Sequence, residues 1–340
     1  MNHSASIPAD RTTMNGKPVI RIPSKAVINF KSAFLEKLLC DGLTFSTGSA
    51  CAYSCAFCYV PAMMARNPHW SAVIATNPNA KFEDVVMVRD KALETMRDQL
   101  TTRGKPRFPD PTDTRVIYSS PLVDVAANMD LVRETIEACK IILELTHWNI
   151  RLLSKSSFLP MVDDGIPEEH QHRMIYGVST GTMNDGLSLS FERGTPKVSK
   201  RVESIRVLQD RGRRTFGMLC PSLPLPDGNY DDMAERMALQ IRVEKCEHVW
   251  AEVINVRGES MTRTVQALRD SGYDDYADAL VKVSRDRTEW EAYARATFEA
   301  HTRHIPAGKL RFLQYVNTAA IPPISVPWWK ARQEKGAVLL

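Results

Sequence analysis

The 340-residue chain has no long apolar run: nowhere do enough hydrophobic residues follow one another to span a bilayer. Its start, Met1 to Pro23, carries polar and charged side chains throughout and lacks the apolar stretch of an export signal. These two absences predict a cytoplasmic protein with no membrane span. Strong charge of one sign is missing as well, since 44 Lys and Arg stand against 40 Asp and Glu. The net +4 permits a polyanionic partner without requiring one. Cysteines are few and odd in number, seven, which suits a reducing compartment better than a disulfide framework. What is present, 44% hydrophobic and 25% charged residues, is the composition of a globular protein of one or two domains.

Three of the seven cysteines are crowded into Cys51-Ala-Tyr-Ser-Cys55-Ala-Phe-Cys58-Tyr59, spaced C-x3-C-x2-C. Thiolates are soft ligands that suit zinc and iron–sulfur clusters. Structural zinc usually takes four protein ligands, often as two C-x2-C pairs, and no second pair follows here. A [4Fe-4S] cubane held by three thiolates keeps one iron open, and an open iron is a place for chemistry. Cys40, Cys139, Cys220 and Cys246 read as ordinary buried residues.

Along the chain, Leu43 to Thr47 reads as a strand feeding the cysteine loop, and a helix begins near Val60. The apolar spacing of Phe82, Val85, Val86, Leu93, Met96 and Leu100 predicts one amphipathic helix. Strand-like runs follow at Val116 to Ser119, Asn149 to Leu153, Met174 to Val178, Thr215 to Leu219 and Val249 to Asn255. Helical patterns lie between them, clearest over 131–145, 197–211 and 230–244. Such alternation means parallel strands with crossover helices, an α/β fold whose ligands gather at the C-terminal strand ends. The expected organisation is an N-terminal arm over 1–39, a core over 40–260 and a C-terminal helical extension over 261–340. That extension holds helices at 273–283 and 288–301, a strand at 310–316, and a tail in which Trp328-Trp329 dock onto the body.

The cysteine loop, with Phe57 before its last thiol and Tyr59 after it, resembles that of the radical S-adenosylmethionine (SAM) enzymes. Later strand ends narrow the likeness. Ser119-Ser120-Pro121 with Asp124, Lys155, Ser179-Thr180 and Glu192-Arg-Gly-Thr195-Pro196 followed by Arg201 are similar to stretches of the spore photoproduct lyase branch, including proteins labelled DNA repair photolyases. The resemblance covers roughly 40–260 and implies a partial (β/α)6 barrel. It implies that Cys51, Cys55 and Cys58 hold [4Fe-4S], that SAM chelates the fourth iron, and that a one-electron reductant, flavodoxin or ferredoxin, is needed. SAM-binding candidates are Tyr59, Ser119, Ser120, Asp124, Lys155, Ser179 and Glu192. A mixed polar rim of this kind suits a ligand with a sulfonium, an amine, a carboxylate and a ribose.

One position departs from the pattern. The branch returns a hydrogen atom to product from a cysteine in the serine-rich strand end, where this chain has Pro121. Cys220, at the end of another strand, is the candidate for that catalytic role. A basic run, Lys197, Lys200, Arg201, Arg206, Arg211, Arg213 and Arg214 against Glu203 and Asp210, could touch nucleic acid or form a solvated face. Nucleic acid is thus the first expected substrate, with a peptide or small molecule as the alternative. A structural or sensing metal protein without turnover is the reading outside enzymology.

Overall fold

A computed structural model describes residues 7–119, 121–254, 259–314 and 337–339. The main sheet has nine strands in the order Ala337–Leu339, Leu310–Gln314, Cys246–Val253, Arg214–Ser222, Met174–Ser179, Asn149–Ser154, Val116–Ser119, Leu43–Phe45, Ile28–Asn29. Every neighbouring pair is parallel except the last, where Ile28–Asn29 runs antiparallel to Leu43–Phe45. Sequential strands are therefore spatial neighbours, and helices carry the chain back between them. Each crossover buries its apolar stripe on the sheet. The Met129–Leu145 helix starts where the Asn128 side chain accepts the N–H of Leu131 and buries Leu131, Val132, Ala138, Cys139 and Ile142. This is the expected α/β architecture of a partial parallel barrel.

The strands at 116–119, 149–154 and 174–179 stand where the apolar runs placed them. The strand at 214–222 runs past the expected one chiefly at its end, and that at 246–253 begins three residues earlier than expected. The expected strand ends at 255 and 316 and the Trp328-Trp329 pair lie outside the described residues. The helix expected over 230–244 stops at Gln240, because Arg242 takes a left-handed φ of 50° and a separate turn follows.

The stretch from Phe82 to Leu100 is not one helix. Phe82–Asp84 is a single turn, Val86–Arg89 is a strand, and only Ala92–Leu100 is helical. Val86, Met87 and Val88 are all buried, so both faces of the segment are covered, which favours a strand. Lys91, with φ 53°, makes the break. The strand pairs in parallel with Lys17–Ile22 and antiparallel with Gly48–Ala50. Residues of the N-terminal arm thus join two strands of the core in a second sheet, ordered as Thr13–Met14, Lys17–Ile22, Val86–Arg89, Gly48–Ala50, whose last strand leads into the cysteine loop.

Glu134 ties this layer to the barrel. Its side chain is only 2% exposed, accepts from the Thr47 hydroxyl and the Ile7 N–H, and has no partner for Oε2 among the described residues. Burial raises its pKa to about 7, against the smaller opposing effects of those two donors. Because the folded value lies above the unfolded one, stability falls as pH rises from about 4.3 through 7. Glu134→Gln is expected to be more stable than wild type above pH 7, by on the order of 3 kcal/mol, with no such gain near pH 4. Urea denaturation at the two pH values checks this. An unchanged pH profile would refute it.

Candidate active site

The C-terminal ends of the parallel strands open into a cavity of about 190 Å³. Cys51, Cys55, Cys58, Tyr59, Asp124, Lys155, Ser179 and Cys220 all line it. Ser119 is buried at its strand end and is not part of that lining, and Ser120 lies outside the described residues.

The cysteine loop is fixed by backbone. Ser54–Cys55 forms a two-residue antiparallel bridge with Glu192–Arg193, and Ala56 N–H donates to the carbonyl of Phe191 at 2.8 Å. Lys17 Nζ donates to the carbonyls of Cys51 and Tyr53, and Arg263 Nη2 to that of Cys58 at 2.9 Å. Two main-chain N–H groups aim at one sulfur: those of Tyr53 and Asp124 reach Cys51 Sγ at 3.4 and 3.3 Å. Burial raises the pKa of all three thiols, that of Cys51 to about 12. No group of three or more His, Cys, Asp or Glu among the described residues is arranged to hold a single metal ion. A cubane does not ask for that arrangement, because each thiolate meets a different iron. Three soft donors on one loop facing one cavity, with N–H groups turned to sulfur, fit a cluster held by three thiolates.

Opposite the loop, Lys155 Nζ donates to Glu192 Oε1 at 2.6 Å and Ser179 Oγ at 2.9 Å, and sits 5.1 Å from the Phe57 ring centroid. Glu192 is fully buried and stands behind Lys155, not in the cavity lining. Its Oε2 accepts from Arg201 Nη1 and Ser188 Oγ, both at 2.5 Å. Arg201, also fully buried, donates further to Thr195 Oγ1 and to the carbonyls of Ser179 and Pro196. Burial works against the charged form of Glu192, yet Lys155 and Arg201 outweigh it and hold the pKa below the usual value. Asp124 accepts from Ser154 Oγ, Lys155 N–H and Ala126 N–H, while burial pushes its pKa up. Both carboxylates are consumed in holding strand ends. Lys155 and Ser179 line the cavity beside Asp124, while Glu192 stands behind them.

Tyr59 is anchored by its hydroxyl, which donates to the Pro121 carbonyl at 2.6 Å. Cys220 Sγ lies 3.3 Å from Glu252 Oε2, and burial followed by the Glu252 charge raises the thiol pKa. Glu252 was legible only as an acidic residue at the end of an apolar strand. Lys37 and Phe34, also in the lining, carried no sequence signal.

The basic run does not form a free face. Arg201 belongs to the buried network, Lys200 pairs with Glu203, Arg211 with Asp163 and Asp164, Arg213 with Asp163, and Arg214 with Glu247. Arg206 donates to the side chain and carbonyl of Gln240. Acidic partners, those of Arg211, Arg213 and Arg214 from elsewhere in the chain, thus offset most of what looked like a charged stripe, while Lys197 is exposed and Arg206 meets only neutral Gln240.

The architecture is that of a partial parallel barrel, with a three-cysteine loop over its C-terminal mouth. Solved structures of spore photoproduct lyase share the fold. The enzyme complexed with dinucleoside spore photoproduct has a TM-score of 0.57 at 12% identity, over 91% of this chain and 87% of that one. A double mutant with bound AdoMet and dinucleoside spore photoproduct has a TM-score of 0.52 at 12% identity, over 80% and 76%. At such identities the likeness is one of fold. No family model and no curated protein matches the chain. Among the described residues, no helix is long and apolar enough to cross a membrane.

Proposed function

We propose that this protein is a radical SAM enzyme. The observation that carries the reading is the convergence of Cys51, Cys55 and Cys58 with Lys155 and Ser179 on one cavity, in the fold of spore photoproduct lyase. The three thiolates would hold [4Fe-4S], and Lys155 and Ser179 would bind the carboxylate and neighbouring groups of SAM. When bound, the pair supplies reductive cleavage of SAM to methionine and a 5′-deoxyadenosyl radical that abstracts hydrogen from substrate, given a flavodoxin- or ferredoxin-type electron donor. The chain's own part is to bind, orient and exclude water.

Lys155 is well made for an anionic group. Glu192 and Ser179 fix two of its three N–H directions, so the ammonium pays little ordering entropy on binding. Cys220 would return a hydrogen atom to the substrate radical: the S–H bond breaks as the C–H bond forms. One electron from the same class of donor and one proton then restore the thiol, and Glu252 stands beside the sulfur at 3.3 Å to relay that proton.

Nucleic acid is the substrate the reading favours, since the structurally similar enzyme is complexed with a dinucleoside photoproduct. The largely ion-paired basic run favours the second reading, a peptide or small molecule, because it leaves few uncompensated cations, Lys197 and Arg206, for a duplex. The test is anaerobic. Protein reconstituted with iron and sulfide, reduced and given SAM is expected to form 5′-deoxyadenosine, and ultraviolet-irradiated DNA is expected to stimulate it or to exchange deuterium with it. Zinc in the purified protein and no product would instead make the loop a structural metal site.

A further inference from the structure

Part of the cavity wall comes from a segment that lies outside the alternating units. Phe34, Lys37 and Leu39 come from a stretch containing the short turn Ala33–Leu35. Phe34 packs on Tyr118 with ring centroids 5.6 Å apart and planes tilted by 33°. Lys37 Nζ lies 5.0 Å from the Phe34 centroid. Leu39, Tyr118, Met218 and Leu313 belong to one apolar cluster, separate from the clusters that include Cys51, Cys55 and Cys58.

This wall is gripped from inside the barrel. Trp250 Nε1 donates to the carbonyl of Lys37 at 2.8 Å, and Arg151 Nη1 to those of Leu38 and Leu39 at 3.4 and 2.5 Å. Three successive carbonyls are thus held by two side chains. Arg151 is itself fixed between rings, 5.0 Å from the Trp250 centroid and 5.5 Å from that of Phe216. Leu38 meets the grip by adopting φ 56°, a conformation that costs a non-glycine residue. A backbone so pinned presents Phe34 and Lys37 to the cavity in one fixed arrangement.

An aromatic wall with one ammonium beside it matches a planar base with one nearby anion. We propose that Lys37 contacts a single phosphate of a nucleotide substrate whose base stacks against Phe34, itself backed by Tyr118, so that the site engages one or two nucleotides and does not track a duplex backbone. This inference rests on the nucleic-acid form of the radical SAM reading. It also reconciles that reading with the largely neutralised basic run, because recognition inside the cavity needs no external cationic stripe.

The test uses the full chain, reconstituted and supplied with SAM, and measures equilibrium binding of a thymidine dinucleotide. The comparison ligand is the same molecule with a neutral methylphosphonate link. Wild type is expected to prefer the phosphodiester by about tenfold, with a log–log salt slope of about −0.7, the value for one phosphate of a single strand. Lys37→Gln is expected to reduce the preference below about twofold, and Phe34→Leu to weaken both ligands alike. A full preference retained in Lys37→Gln overturns the inference, as does failure of wild type to bind the dinucleotide. A slope several times steeper with a ten-nucleotide strand overturns it too, since that means backbone tracking. Iron content and substrate-free 5′-deoxyadenosine formation of wild type are read on the same preparation. Their loss sinks the radical SAM reading itself, whereas their presence with no role for Lys37 sinks this inference alone.

Discussion

Cys55→Ala is expected to lose iron and keep its fold. Reconstituted wild type should carry about four irons per chain and the variant fewer than one, with 5′-deoxyadenosine at background. Alanine preserves the main-chain bridge to Glu192, so the loop remains docked while the thiol is gone. Cys55 is half-buried at a cavity wall, and shortening it should cost no more than about 1 kcal/mol. Cys246→Ala is the control. That thiol is buried in the core beside Gln209 and Thr215, so its loss should lower stability modestly with iron unchanged. Full iron retention in Cys55→Ala would remove the thiol from the ligand set and with it the case for the cluster.

The largest expected loss of stability is at Arg201. Both it and Glu192 are fully buried, and Arg201→Met removes the guanidinium's bonds to the Ser179 and Pro196 carbonyls, to the Ser188 and Thr195 hydroxyls and to Glu192, whose buried carboxylate then keeps only Lys155 and the Ser188 hydroxyl. Breaking one side of a buried pair costs about 3–5 kcal/mol, which for a chain of this size lowers Tm by on the order of 10 °C. The sign with pH follows from the lowered pKa of Glu192. Its stabilising contribution is complete above the unfolded value of about 4.3 and is lost as pH falls through the depressed folded value. Arg201→Met should therefore lose most at pH 7 and approach wild type in acid, as denaturant titrations at both pH values would record. A loss equal at both would mean that packing, not charge, dominates this contact. SAM affinity should drop in the same variant, because Lys155 is then the one cation on the Glu192 carboxylate and is drawn from the cavity.

How far these features were legible depended on the range of the interactions that make them. The central strands announced themselves as apolar runs bounded by polar residues, and parallel alternation followed from their spacing. Lys17–Ile22 was not legible, because Pro18 and Arg21 break its pattern and its partner, Val86–Arg89, is far along the chain. That partner was hidden by apolar residues that happen to recur at helical spacing. In the site, spacing alone crowded the three thiols together. Glu192 read as a group that could meet SAM, and only the folded chain shows it committed to two cations behind the cavity. The basic run misled for the same reason: charge counted along a helix omits the carboxylates that Asp163 and Glu247 bring from elsewhere.

The bridge between Ser54–Cys55 and Glu192–Arg193 also orders events during synthesis. The three thiols leave the ribosome early, but the strand that docks their loop, and Arg201 that steadies it, come only after four of the central strands have been made. Until then the nascent chain exposes three soft ligands with nothing to close over them. A chain halted before Glu192 therefore carries three cysteines open to stray metal and to oxidation.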